Sequence, residues 1–425
     1  MDFKRKLGFL PTPSTPPVNV PSAALPTPAA EVVADIEPGA SLIDQLRSKM
    51  AEILERPLVS APPVAPADPS ETTLPFVREE TPNGPIYRRH SILPPSHHVG
   101  RIPVDSAYQS RPELLALLAL DPSLSGVNLS GALFLDTETT GLGGAGAIAF
   151  LLGLAWFDDE QRLHVEQLLL RSPGDEPPML DVLTERLART ELLVSYNGKA
   201  FDWPLLKGRY VMNRREIPRD LPHLDLLHVG RRLHRARLGA CRLKTLESEV
   251  LGFERGEDVD GGDVPARYAH FLRTGDEEAL RQVVDHNAWD VVSMAALVGL
   301  YGEPFDLMHG EDLVGFAKTM KRAGALSVAE RAADRALELG AKSALKVRGD
   351  VHKARGDRAR ALQDFESLAE SLDDPALRLE LAKLYEHFVK DPGRALEILS
   401  LGTGEAESAA EKRRQRLERK RSNDD

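Results

Sequence analysis

The run Leu133-Phe134-Leu135-Asp136-Thr137-Glu138-Thr139-Thr140-Gly141 decides how the rest of the chain is read. An apolar segment ends in two carboxylates spaced i, i+2, and a Thr-Thr-Gly turn follows. Side chains alternate along a strand, so Asp136 and Glu138 are expected on one face. Two like charges at the end of a buried strand repel each other and resist desolvation unless something positive stands between them. A hard divalent cation with oxygen ligands, Mg²⁺ or Mn²⁺, meets that need. The plainer alternative is a strand whose polar end emerges into solvent. Taken alone, the stretch does not choose between them.

Two further segments bear on the choice. A short apolar run, Leu192-Leu193-Val194, leads into Ser195-Tyr196-Asn197-Gly198-Lys199-Ala200-Phe201-Asp202. Asn-Gly marks a tight turn, and Phe201-Asp202 opens a helix expected to run to about Asn213. Much later, His286-Asn287-Ala288-Trp289-Asp290-Val291-Val292 falls in an amphipathic helical pattern, where His286 and Asp290 are i, i+4 and share a face. Three carboxylate segments in this order, with a proton-transfer residue four before the last Asp, resemble the DEDD-type (DnaQ-like) exonucleases of the ribonuclease H-like superfamily. Asp-Thr-Glu-Thr-Thr-Gly-Leu, Tyr-Asn-Gly-x-x-Phe-Asp and His-Asn-x-x-Asp-Val are similar to the YprB-type branch in particular. The likeness covers roughly residues 85 to 305.

The resemblance implies metal-dependent 3′→5′ hydrolysis of phosphodiesters with two divalent cations. It places Asp136 between both metals, with Glu138 and Asp290 completing one shell and Asp202 holding the second metal, mainly through water. His286 then serves as general base. In one branch a Tyr stands four residues before the last Asp, and in another a His stands five before it. Here a His occupies the Tyr spacing, which leaves the tyrosine-type and histidine-type labels open. A non-catalytic nucleic-acid-binding or scaffold protein on the same fold is the competing reading.

Length and composition set the outer bounds. A chain of 425 residues exceeds one ordinary domain. The single cysteine, Cys241, excludes an internal disulfide and points to a cytoplasmic protein; packing is its expected role. No secretory leader is read at the N-terminus, and the apolar run 145–157 is too short and Gly-interrupted to span a membrane.

The fold expected is α/β. A ribonuclease H-like mixed sheet flanked by helices should occupy 81–305, followed by an all-α helical-repeat domain at 306–402. Residues 1–80 are Pro/Ala-rich and read as a disordered tail. One amphipathic helix at 41–54, capped by Ser41, interrupts that tail, either docking or forming transiently. Strands are expected at 131–138, 147–157, 162–170, 192–195 and 224–226, with a helix at 176–189. Six short helices are expected between 312 and 400; the Ala-rich patterns beginning at Ala329, Ala361 and Ala395 recur about every 32–34 residues and resemble tetratricopeptide repeats. Such stacks offer surfaces to protein partners. Residues 403–425 form a charged basic tail.

The net charge of −11 is unusual for a nucleic-acid enzyme, but its distribution is uneven. Between Lys207 and Lys244 eleven Lys and Arg face three acids, a local balance of +8. Arg231, Arg232, Arg235, Arg242 and Lys244, with Asn197 at the turn, are therefore candidate contacts for single-stranded DNA or RNA 3′ ends. Nothing in the motifs separates DNA from RNA. His223, Asp225 and His228 admit a further metal site, with a structural role the favoured alternative. The segment from Glu254 to Asp285 is acidic instead.

Overall fold

The sheet begins earlier than the sequence pattern suggests. The computed structural model describes residues 73–141, 146–303 and 305–424. The expected helix at 41–54 and most of the expected tail lie outside the described residues. Strands β1 (Val77–Thr81) and β2 (Gly84–Leu93) form a hairpin, so the expected boundary at 80/81 falls within β1. Upstream of it, the backbone amide of Leu74 donates to the carboxylate of Glu277, 3.1 Å away.

Three apolar segments then build an antiparallel meander: β3 (Ala132–Thr139), β4 (Ala149–Phe157) and β5 (Leu163–Leu169). After helix α2 (Glu176–Ala188), β6 (Leu192–Ser195) returns parallel to β3, and β7 (His223–Asp225) lies parallel to β6. Helix α1 (Pro112–Ala119) precedes the meander, and α3 (Asp202–Met212) joins β6 to β7. Among the described residues the main sheet has seven strands, in the order β1-β2-β5-β4-β3-β6-β7. The mixed sheet with β3 inside it matches the expected fold.

Alternation along β3 divides its side chains between two cores. Leu133 and Leu135 pack with Leu180 and Leu183 of α2. Phe134 belongs to the opposite core, with Val291 and Met294 of the long helix α6 (Glu278–Gly302). Asp136 and Glu138 share the face of Phe134 and so meet α6. Between β7 and α6 run α4 (Leu226–Leu238) and α5 (Val264–Thr274), joined by a short helical stretch over 243–251 and the irregular residues 252–263.

The C-terminal region is all helical: α7 (Gly310–Arg322), α8 (Leu326–Glu338), α9 (Ala344–Ala354), α10 (Arg358–Ala369), α11 (Pro375–Leu384), α12 (Pro392–Ser400) and α13 (Glu407–Asp424). Asp357, Asp374 and Asp391 each cap the helix that follows with a side-chain oxygen. The stack is not a separate body. Val229 and Leu233 of α4, Tyr301 of α6, Phe316 and Met320 of α7, and Ala332 of α8 share one apolar core. Across that joint Arg237 clamps Asp312, with Nε donating to Oδ1 at 3.0 Å and to Oδ2 at 3.1 Å, and Nη2 to Oδ2 at 2.7 Å. The basic tail folds back as α13, where Arg413, Arg416 and Lys420 surround the buried carboxylate of Glu386. Their charges are engaged within the stack, and the Glu386 carboxyl sits at about 2 because these cations outweigh its burial.

Candidate active site

Asp136 and Glu138 stand at the carboxyl end of β3, where the register with β4 slips between Glu138 and Thr139. Asp202 is the first residue of α3, and its carboxylate accepts from the hydroxyl of Thr137, the residue between the two β3 acids. The turn that delivers it is tightly made. Asn197 sits at φ +68°, and a Cβ at Gly198 would lie 2.6 Å from the Ser195 Cβ and 3.1 Å from Asp202 Oδ2.

Asp225 holds that turn from below. Its carboxylate accepts from the backbone amides of Asn197 (2.9 Å), Lys199 (3.1 Å) and Leu227 (3.1 Å). His223 bonds Ser195 Oγ through Nε2 at 2.7 Å, and burial, followed by the Lys199 charge, lowers its pKa to about 4. Asp225 and His223 thus shape the loop.

The α6 helix supplies the rest. His286 Nε2 lies 3.9 Å from Glu138 Oε1 and 3.7 Å from Asp290 Oδ2, as the i, i+4 spacing implied. Between them in sequence, Asn287 is fully buried and donates Nδ2 to Asp136 Oδ2 at 2.9 Å. Its Oδ1 accepts from Gln167 Nε2, also at 2.9 Å. Gly153 and Gln167 are the β4 and β5 partners in register with Asp136, so a β-carbon absent at 153 makes room for the Asn287 amide. The motif alone gives Asn287 no role. A polar residue on the buried side of α6 was the signal that could have found it.

The acidic segment contributes two residues that no sequence pattern singles out. Arg255, with its side chain 1% exposed, grips Glu247 with Nε (2.6 Å) and Nη2 (2.7 Å), and Nη2 also pairs with Asp290 Oδ1. Asp258 Oδ1 lies 2.7 Å from His286 Nδ1, and Lys244 Nζ faces Asp258 Oδ2 at 3.1 Å. A cleft of about 380 Å³ opens beside this cluster, lined by Arg242, Lys244, Arg255, Asp258, His286 and Asp290 among others.

The electrostatics follow from burial and crowding. Burial, then the charges of Asp290, Asp202 and Glu138, push the Asp136 carboxyl well above the usual carboxylate range. Burial with Asp290 and Asp202 does the same to Glu138, against the pull of Arg255. Burial raises Asp202 to about 6 despite the Thr137 hydrogen bond. Burial alone would raise Asp258, but the bonds from His286 and Lys244 and the charge of Arg255 bring it below its ordinary value.

Among the described residues, no three His, Cys, Asp or Glu side chains are gathered in an arrangement that holds a metal ion. Three of the four carboxylates are instead turned to a donor of their own chain: Asp136 to Asn287, Asp202 to Thr137, Asp290 to Arg255. The donor chemistry nonetheless fits a hard divalent cation, because the candidate set is oxygen-only, buried and mutually repelling. Of the candidate substrate contacts, Arg242 and Lys244 line the cleft and Asn197 lies in the turn before Asp202. Arg231 and Arg235 are exposed on α4, whereas Arg232 is half-buried and donates Nη1 to the Leu118 carbonyl at 3.1 Å. Cys241 is buried with its thiol on the Gly230 carbonyl, a packing position.

The chain is 33% identical over 309 residues to YprB of Bacillus subtilis (strain 168), an uncharacterized protein, across 69% of this chain and 74% of that one. It belongs to the YprB family. Within this YprB-family chain, residues 133–301 match the RNase_H superfamily, a span that holds Asp136, Glu138, Asp202, His286 and Asp290 together. The protein is thus a member of the ribonuclease H-like nuclease superfamily. The family B DNA polymerase of the hyperthermophilic archaeon Pyrobaculum calidifontis gives a TM-score of 0.32 at 14% identity, covering 53% of this chain and 29% of that one, a likeness that carries no argument. Among the described residues, no helix is long and apolar enough to cross a membrane.

Proposed function

We propose that this protein is a metal-dependent 3′→5′ exonuclease that hydrolyses phosphodiester bonds of single-stranded DNA or RNA. One observation carries the reading: four carboxylates from three separate segments converge at the end of β3 closely enough that three of them raise the fourth. Asp136, Glu138, Asp202 and Asp290 would hold two divalent cations, Mg²⁺ or Mn²⁺, which when bound activate water and neutralise charge on the phosphodiester. His286 accepts the proton of the attacking water through Nε2, the nitrogen that faces Glu138 and Asp290. Arg242 and Lys244 at the cleft, with Asn197, bind the terminal nucleotide, and Arg231 and Arg235 hold the strand leading to it. The helical stack after residue 306 recruits a protein partner.

The Arg255–Asp290 pair favours a second reading, a non-catalytic nucleic-acid-binding or scaffold protein, because it supplies a counter-charge to Asp290 from within the chain. Matched 5′-labelled DNA and RNA oligonucleotides incubated with Mg²⁺ or Mn²⁺ separate the two. The nuclease reading expects products shortening from the 3′ end and their loss in Asp136→Ala and Asp290→Ala. Binding without cleavage of either nucleic acid, or full activity in those variants, overturns it.

A further inference from the structure

We propose that Asp258 is a positioning residue that fixes the tautomer and orientation of His286; the inference rests on the base role given to His286 above. The His286 ring has two neighbours at Nδ1, Asp258 Oδ1 at 2.7 Å and Arg255 Nη1 at 3.0 Å. A ring nitrogen carries either a proton or a lone pair, so it serves only one of them. With the proton on Nδ1 it donates to the Asp258 carboxylate; without it, it accepts from Arg255.

Three observations favour Asp258. Its oxygen is the nearer, and a hydrogen bond to an ionised acceptor is the stronger kind. Arg255 is already engaged by Glu247 through Nε and Nη2 and by Asp290 through Nη2. Asp258 is in turn held in place, with its side chain 2% exposed and Lys244 Nζ 3.1 Å from Oδ2. The neutral ring therefore carries its proton on Nδ1 and presents the Nε2 lone pair toward Glu138 and Asp290. A carboxylate behind an imidazole fixes which nitrogen is basic and where it points.

The histidine ¹⁵N shifts of full-length protein report the tautomer directly, with the His286 signals assigned by their loss in His286→Asn. The wild-type ring should be protonated at Nδ1, and Asp258→Ala should move proton density to Nε2. Asp258→Leu, an apolar side chain of similar shape, serves as a second variant should Asp258→Ala fail to fold. A wild-type ring protonated at Nε2, or a tautomer unchanged when Asp258 is removed, overturns the proposal. On an oligonucleotide substrate, loss of Asp258 should lower kcat roughly 10–100-fold with little change in KM. It should add nothing in a His286→Ala background. A further loss in that background shows that Asp258 acts elsewhere and also overturns the proposal. If the wild type cleaves no oligonucleotide, the nuclease reading falls, and the tautomer measurement still decides whether Asp258 sets the ring.

Discussion

Asn287 lies directly over Gly153: a Cβ at 153 would come within 2.8 Å of Asn287 Nδ2 and 2.9 Å of Cγ, and nearer still to Oδ1. The amide is fully buried and bonded to both Gln167 and Asp136, so it has nowhere to retreat. Gly153→Ala should therefore displace Asn287 and with it the donor that orients Asp136. We expect a loss of roughly 10–100-fold in hydrolysis, the usual effect of disturbing a partner that orients a metal ligand. Overpacking should cost about 1–3 kcal/mol of stability. Kinetics and urea unfolding of one variant check both. A fully active Gly153→Ala protein would mean that Asp136 needs no orienting amide.

The carboxylate cluster makes stability fall as pH rises in the metal-free protein. Asp202 titrates at about 6 against an ordinary 3.8, because burial outweighs its hydrogen bond from Thr137. The folded state thus binds this proton more tightly than the unfolded chain. Its stabilising contribution is complete below about 3.8 and is lost as pH climbs through about 6. A shift of this size corresponds to about 3 kcal/mol. Asp202→Asn should remove that slope, so in the presence of a chelator the variant gains on the wild type as pH rises from about 4.5 to about 7. Superimposable stability profiles would contradict the shift.

Arg255 balances two carboxylates, and its removal should be felt first at Glu247. That carboxylate is fully buried and takes two hydrogen bonds from Arg255. Arg255→Met leaves it uncompensated, at a cost of about 3–5 kcal/mol. Pairing the change with Glu247→Leu should recover most of the loss, because two apolar side chains replace a complete ion pair. Chemical denaturation of the single and double variants gives the comparison. An undiminished loss in the double variant would place the importance of Arg255 at Asp290 or His286 instead.

What was legible in the sequence was local. Asp136 and Glu138 follow from strand alternation, His286 and Asp290 from helical spacing, and Asp202 from the Asn-Gly turn, each within a few residues of an apolar pattern. Arg255 and Asp258 lie in an irregular acidic stretch with no period to read, and only packing of residues 252–263 against α6 brings them to His286. The β1–β2 hairpin leaves no readable pattern for a related reason. Val-Arg-Glu-Glu-Thr has little apolar content, and Val77 is 66% exposed, so β1 is held as an edge strand by its pairing with β2. The basic tail reads as a charged patch, but a buried carboxylate just beyond α11, Glu386, gathers its cations.

The exposed arginines of α4 and the cleft should differ from their buried neighbour in what they do. Among the described residues, Arg231, Arg235 and Arg242 have no ion-pair partner within the salt-bridge range, whereas Arg232 is tied to the Leu118 carbonyl. Replacing the first three with Ala should weaken binding to single-stranded oligonucleotide and flatten the log–log salt dependence by about 0.7 for each phosphate no longer neutralised. Arg232→Ala should leave that slope unchanged and cost about 0.5–1.5 kcal/mol in stability. Fluorescence anisotropy across a salt series checks the slopes. Equal slopes for the triple variant and the wild type would move the nucleic-acid path off α4.

The joint between sheet and stack bears on how the chain can be divided. The sequence alone invites a cut near residue 305, since every candidate catalytic carboxylate lies before it. The structure argues against that cut. Helix α7 crosses α4 so closely that a Cβ at Gly315 would lie 2.8 Å from the Arg232 carbonyl oxygen and 2.9 Å from the Leu233 Cα, atoms of backbone that cannot swing away. Removing α7 would uncover Val229, Leu233 and Tyr301 and strip Arg237 and the fully buried His234 of Asp312, which His234 Nδ1 approaches to 3.1 Å. A fragment ending at 305 should therefore be insoluble or melt far below the full chain. Gly315→Val in the intact protein should destabilise by at least the roughly 1–3 kcal/mol typical of overpacking. Because α4 also carries Arg231 and Arg235, the same variant should weaken oligonucleotide binding without touching any candidate metal ligand. A 73–305 fragment that melts as cooperatively and as high as the whole protein would show that α4 and α6 hold their places without the stack, and the shared core would then be an accessory to the fold.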